Sequence, residues 1–330
     1  MIMAIRLLLT CMSILVALSA GAQTDAQLSH YFDVPSYYNP AAVGSGDMLK
    51  IRGGSRLQWV GVDNAPRTFI GVAEMPLRLG TRRLGVGAVL QQESMGLFRN
   101  LNVGAQIGYK LKFLSGTLTL GLQGGLLEER FNGSEIVLPD DDEYHQGVDE
   151  ALPMRDVSGM TLDLSGGLYF ERKSFWAGLS CMHFNSPTVT FASDDDMSGG
   201  LEFHSRSYEY KAAPTLYFMA GCNIRIKNTL FEMIPSTMVK SDFTFTKIEL
   251  TGRLRYNRFL SIGIGYRNDD AVIGLLSVEY KGVYIGYSYD YPTSDIVKAS
   301  NGSHEIFAGY SLKLDFSEKN KHKQKSIRIM

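Results

Sequence analysis

The chain lacks an excess of either charge. Lys plus Arg number 33 and Asp plus Glu 34, a formal net charge of -1 over 330 residues. A nucleic-acid partner would require a strongly basic balance, so that class is excluded. Tryptophan and proline are also scarce, at 2 and 10, whereas Gly reaches 34 and Tyr and Phe reach 17 each. That composition fits many strands, tight turns and aromatics near an interface. Beyond the N-terminal region no run approaches the ~18 apolar residues of a helical membrane span. His-Glu-x-x-His, Cys-x-x-Cys, Gly-x-Ser-x-Gly and phosphate-loop motifs are all missing, so nothing points to catalysis, a cofactor or a metal.

The N-terminus has a leader. Arg6 precedes an apolar stretch, Leu7 to Ala20, and Ala20 and Ala22 stand as in an A-x-A cleavage site. Residues 1–22 therefore read as a secretory signal peptide. Cys11 resembles a lipoprotein cysteine only loosely, because Thr10 is larger than the residue normally found before it. Cys181 and Cys222 remain, each inside an apparent strand. They read as packed thiols, with a disulfide as the alternative in an oxidising compartment. An exported chain without a spanning helix is either soluble outside the cytoplasm or a β-barrel.

The alternation favours a barrel. In 100–113, Leu101, Val103, Ala105, Ile107, Tyr109, Leu111 and Phe113 alternate with Asn102, Gly104, Gln106, Gly108, Lys110 and Lys112. A period of two places each set on its own face of a strand. Leu118, Leu120, Leu122 and Leu126 repeat the pattern, as do Val272 to Tyr280 and Ile306 to Phe316. Soluble sandwich strands average ~5–6 residues. These are near the ~9–11 that a tilted strand needs to cross a bilayer. The apolar face suits lipid, and the Gly, Ser, Thr, Lys, Glu and Gln face suits a wet lumen. Closure also removes exposed edges.

Fourteen strands are expected, near 48–60, 67–78, 83–94, 100–113, 116–131, 159–172, 174–185, 208–226, 229–240, 243–257, 259–268, 271–281, 283–291 and 304–316. The segments 208–226 and 229–240 are the least regular. An even count puts both ends in the periplasm, and the long connections 132–159 and 185–207 then fall outside, where long loops belong. The expected organisation is a leader (1–22), a periplasmic or plug segment (23–47), an outer-membrane barrel (48–316) and a basic periplasmic tail (317–330).

Chemistry-bearing clusters are few. Asp140, Asp141, Asp142, Glu143 and His145 form one acidic group, and Asp194, Asp195 and Asp196 another. Consecutive aspartates do not match the spaced oxygen ligands of calcium, so they read as solvated loop charge. His183 and His204 also lie near long loops. The glycines of 85–90 and 263–268 sit in strand pattern and read as small lumen or groove residues. In the tail, Lys319, Lys321, Lys323, Lys325 and Arg328 suit a solvated end or a periplasmic docking site.

Two stretches are more specific. "HYFDVPSYYNPAAVGS" (30–45) contains Asn39, Pro40, Ala41 and Gly44, an Asn-Pro-Ala-x-x-Gly element. "RLQWVGVDNAPRTFIGVAEMPL" (56–77) contains Arg56, Gln58, Trp59, Gly61, Ala65 and Pro66. Together they resemble the PorP/SprF family of type IX secretion system outer-membrane proteins. The family usually has Gly before Ala-Pro where this chain has Asn64; Asn also tolerates a left-handed backbone. The resemblance implies a non-enzymatic outer-membrane part of the secretion and gliding machinery, supporting export or surface anchoring of adhesin-type cargo. Its implied partners are outer-membrane lipid, periplasmic secretion components and the cargo itself. The motif residues are candidate contacts for a partner or plug, with Arg56 and Gln58 on one strand face and Trp59 on the other. The alternative is a passive pore or uptake barrel for small solutes. Residues 24–47 lean towards the first reading, as a long non-strand stretch able to fold inside.

Overall fold

The computed structural model describes residues 25–46, 48–80, 82–136, 155–191 and 208–314. The leader, the basic tail, Asp140 to His145, Asp194 to Asp196 and His204 lie outside the described residues.

Seven strands form the first half of the barrel: β1 (Met48–Leu57), β2 (Arg67–Leu79), β3 (Arg82–Met95), β4 (Phe98–Phe113), β5 (Gly116–Asn132), β6 (Asp156–Arg172) and β7 (Phe175–Met182). The short strands β8 (Thr188–Phe191) and β9 (Tyr208–Lys211) pair only with each other. Next come β10 (Thr215–Cys222), the two-residue β11 (Ile224–Arg225), β12 (Phe231–Ser241), β13 (Thr246–Tyr256) and β14 (Leu260–Arg267). Finally β15 (Ala271–Tyr280), β16 (Val283–Pro292) and β17 (Ser303–Lys313) complete the wall. β1 pairs with β17 and β10 pairs with both β7 and β12, so fourteen antiparallel strands close on themselves. Among the described residues, no helix is long and apolar enough to cross a membrane.

The alternation seen in the sequence becomes two faces. Val103, Ile107, Leu120, Leu122, Leu126, Ile264, Leu276 and Ile306 are exposed, while Gln106, Thr119, Gln123, Glu249 and Glu305 are buried. A closed sheet with apolar side chains outside is an inverted soluble barrel, and its solvent on that side is lipid. Tight turns hold the register. Lys281 and Gly282 both have positive φ, at 50° and 88°, between the paired Tyr280 and Val283. That is the twist a two-residue hairpin requires.

The structure departs from the expected strands at several places. The first strand stops at Leu57, not residue 60, because Trp59 turns left-handed at φ 50°. Gln58 and Trp59 therefore leave the alternation and do not take opposite strand faces. The segment 208–226 splits into β9, β10 and the two-residue β11, with Ala212, Ala213 and Pro214 between the first two and Asn223 before the third. Pro214 cannot donate a ladder hydrogen bond. The loop after β7 is not structureless, since Val189 and Phe191 of β8 pack with Leu127, Phe131, Val157 and Ala212. Cys181 and Cys222 are unlinked. Cys181 faces Leu216 and Cys222 faces Phe175 across β7 and β10, about 20 Å apart along the strands and far beyond disulfide reach.

The lumen is occupied. Residues between Ala26 and Val43 lie inside, with Leu28, Tyr31, Val34, Tyr38, Ala42 and Val43 each at 0–1% exposure. They pack on inward side chains of the wall, including Ile70, Val72, Val89, Tyr217, Met219, Tyr284 and Phe307. The polar lumen face is thus an interior contact surface.

Candidate functional site

The lumen segment is held at three places. The first is the turn Asn39 to Gly44. Asn39 Oδ1 accepts the Ala41 N–H at 2.9 Å, and its Nδ2 donates to the Leu168 carbonyl at 2.9 Å. Pro40 and Ala41 lie directly on β5, where a Cβ on Gly121 would come within 2.2 Å of Ala41 N. A Cβ on Gly85 would meet the Val43 carbonyl at 2.1 Å. Gly44 has φ 62°, and a Cβ there would meet the Met75 carbonyl at 2.6 Å. The wall glycines are small because the segment's backbone touches them. Lys110 Nζ donates to the Gly44 carbonyl as the chain leaves towards β1.

The second hold is charged. Glu305 accepts the N–H groups of Ser29 at 2.9 Å and His30 at 2.8 Å. Ser29 Oγ donates to Asp290 at 2.8 Å and accepts from Arg267 Nη2 at 2.9 Å. Arg56 joins Asp290 at 2.9 Å and Glu305 at 3.3 Å, and Arg267 joins Glu249 at 2.8 Å and Asp290 at 3.1 Å. All five charged groups are buried. Within this group three carboxylates face two guanidiniums, so acceptor capacity is left over for the segment's backbone N–H groups. Below it, Asp33 accepts from Tyr284 OH, His30 Nδ1 stands 2.9 Å from Asp33, and the Arg253 guanidinium sits 3.3 Å from the Phe32 ring centre.

The third hold surrounds Asp25. His183 lies between Asp25 at 2.8 Å and Asp163 at 2.9 Å, Tyr217 OH donates to Asp25 at 2.8 Å, and Lys240 donates to its carbonyl at 2.7 Å. Burial works against charge on His183, but the Asp25 and Asp163 carboxylates outweigh it and raise the ring to about 10. Burial likewise opposes a charged Asp25, yet His183, Lys240 and Tyr217 hold its carboxyl below the usual range. The packing leaves a cavity of about 10 Å³ beside Asp25, Tyr37 and Gln91, room for about one water.

The motif residues divide between two places. Asn39, Pro40 and Gly44 seat the lumen segment, and Arg56 reaches it through Ser29 at 3.4 Å. Gln58, Trp59, Gly61 and Pro66 instead build the outer β1–β2 turn. Gln58 N–H donates to the Pro66 carbonyl at 3.0 Å, and Trp59 N–H donates to Ser303 Oγ at 3.1 Å. Gly61 has φ 101° and lies against Asn301. Asn64, with φ 54°, adopts the left-handed turn usually given to Gly. Lys319, Lys321, Lys323, Lys325 and Arg328 lie outside the described residues. Sequence reasoning missed Asp25, Asp163, His183, Glu249, Arg267, Asp290 and Glu305 as a site. Apart from Asp25, which lies in the non-strand N-terminal segment, their only signal was charge on the inward parity of strands or beside strand ends, which a wet lumen explains equally well.

The fold and its occupied lumen define an outer-membrane β-barrel whose wall is built around its own N-terminal segment. The chain belongs to the type IX secretion system membrane protein PorP/SprF family, whose model matches residues 20–310. No curated protein matches it by sequence. Among solved structures it is similar to a Pseudomonas aeruginosa FadL homologue, with TM-score 0.48, 9% identity, 84% of this chain and 92% of that one. It is also similar to the CymD monoaromatic hydrocarbon channel, with TM-score 0.46, 10% identity, 90% and 96% coverage. Acinetobacter baumannii Omp33 gives TM-score 0.42, 8% identity, 81% and 98% coverage. Likeness at this level carries no inference about function. Outer-membrane location and a place in type IX secretion follow from the barrel and the family.

Proposed function

We propose that this barrel is a non-enzymatic subunit of the type IX secretion and gliding machinery that supports export or surface anchoring of adhesin-type cargo. Residues 23–47 act as its plug, and periplasmic secretion components are its partners. The observation that supports this over a passive pore is the occupied lumen: the segment around Leu28, Tyr31 and Tyr38 is buried, with Ser29 and His30 bonded to Glu305. A solute channel needs a continuous wet path, whereas an anchoring subunit needs a rigid wall and exposed rims. The basic tail, with Lys319 to Arg328, serves as a periplasmic dock at an association rate that falls with salt. Deleting the gene should leave adhesin-type cargo off the cell surface, and purified wild-type barrel should not conduct in planar bilayers. Normal surface cargo together with stable open channels would establish the passive pore instead.

A further inference from the structure

An arginine row crosses the outer edge of the lipid-facing wall. The hydrogen-bonded register places Arg67 opposite Ser94, Ser94 opposite Arg99, Arg99 opposite Arg130, and Arg130 opposite Ser158. All three arginines share the outward face with the apolar belt. Phe69 follows Arg67, Leu101 and Val103 follow Arg99, and Leu126 lies below Arg130, each at alternate positions of its strand. Neighbouring strands are ~4.8 Å apart, so the three side chains leave the wall within about 15 Å. They stand where the hydrocarbon belt ends on the side of the long loops, the outer leaflet.

Two observations point to a ligand. Arg99 directly opposes Arg130, a like-charge pair that weakens a sheet unless an anion is shared. Two carboxylates lie near the pair: Glu128 stands 3.6 Å from Arg130, and Asp156 on β6 feels the charge of both Arg130 and Arg99 without an ion pair to either. Among the described residues, no hydrogen bond or ion pair reaches the guanidinium of Arg67 or Arg99. Beside the row lies an open polar cleft of about 350 Å³, lined by Arg67, Arg99, Gln92, Ser94, Asn132 and Glu135, among others. The row is also one-sided. The corresponding outer positions of β1, β10 and β13 to β17 carry Leu57, Leu216, Ile248, Tyr266, Val272, Tyr291 and His304, with no Lys or Arg.

We infer that Arg67, Arg99 and Arg130 form a binding site for the phosphate-bearing headgroup of an outer-leaflet glycolipid, fixing which side of the barrel faces bound lipid. Guanidinium forks suit phosphate oxygens in bidentate pairs; the Ser94 hydroxyl supplies a further donor between Arg67 and Arg99, and the Ser158 hydroxyl another at the end of the row beyond Arg130. An acidic protein would satisfy the same charges. The outward direction and continuity with the apolar belt favour a lipid, whose acyl chains would lie on Phe69, Leu101 and Leu126.

The test uses full-length barrel in detergent and native mass spectrometry, with bis-phosphorylated lipid A, dephosphorylated lipid A and inorganic phosphate as separate probes. The expected result is retention of phosphorylated lipid A, weakened by salt and lowered about tenfold or more in R67Q/R99Q/R130Q. The periplasmic-edge variant R172Q/K281Q should bind as wild type. If the triple variant does not assemble, R99Q and R99K replace it, and R99Q should lose more binding than R99K. Equal retention of dephosphorylated lipid, equal binding by the arginine variants, or binding of inorganic phosphate without lipid preference overturns the site. So does a triple variant that keeps lipid A but loses cargo from the cell surface, which assigns the row to an acidic protein.

Discussion

Replacing Glu305 with Ala should release the lumen segment without opening the wall. Glu305 lies on β17, 1% exposed, and takes the two N–H groups of Ser29 and His30 at 2.9 and 2.8 Å. A hydrogen bond to a charged group contributes ~1.5–3 kcal/mol, so the pair amounts to roughly 3–6 kcal/mol. Arg56 keeps Asp290 at 2.9 Å, so the substitution strands no guanidinium. At 1.4 kcal/mol per tenfold, local opening of the segment becomes about 10² to 10⁴ more frequent. Hydrogen exchange in detergent reads that opening directly, even when the closed state still dominates. The amides of 25–45 should lose protection by that factor, while those of β5 stay unchanged. Glu305→Gln retains one acceptor oxygen and should fall between. Protection of 25–45 within about threefold of wild type in Glu305→Ala would refute the idea that this carboxylate holds the segment.

Leu120→Arg, on the exposed lipid face, should cost ~2–4 kcal/mol near mid-bilayer and reduce heat-modifiable barrel on gels. Thr119 is 2% exposed against a filled lumen, so Thr119→Arg should also impair assembly, by overpacking rather than by charge in lipid; normal assembly would indicate a lumen with spare room. Gly121→Val should displace Pro40 and Ala41 and raise protease cleavage within 25–45, and unchanged resistance would refute the close approach. The raised pKa of His183 gives a signed pH effect: its stabilisation of the segment is complete below about 6.5 and disappears as pH rises towards about 10. Proteolysis of the segment followed across that range should show the loss, and His183→Ala should weaken the dependence. Cys181 and Cys222 should both alkylate after denaturation without prior reduction, with no shift on non-reducing gels.

Period-two patterning determined the barrel, because alternation over ten or more residues leaves a strand one lipid-compatible face and a closed sheet no edge. Leu101 to Phe113 and Leu118 to Leu126 were legible for that reason, as was the strand count. Local chemistry also marked the left-handed turn at Asn64 and the small wall positions among residues 85–90. The sequence could not say what those small positions were small for. Gly85 and Gly121 look alike in a wet groove and beneath a docked backbone, and only the tertiary structure sets Val43 and Ala41 against them. The charges were ambiguous in the same way. Arg56, Arg267, Asp290 and Glu305 come from four strands spread over some 250 residues, so their proximity depends on register between distant segments. The arginine row needed both levels. Parity put Arg67, Arg99 and Arg130 on the outer face, but only the strand pairing, which offsets each strand against the next, brought them into one line.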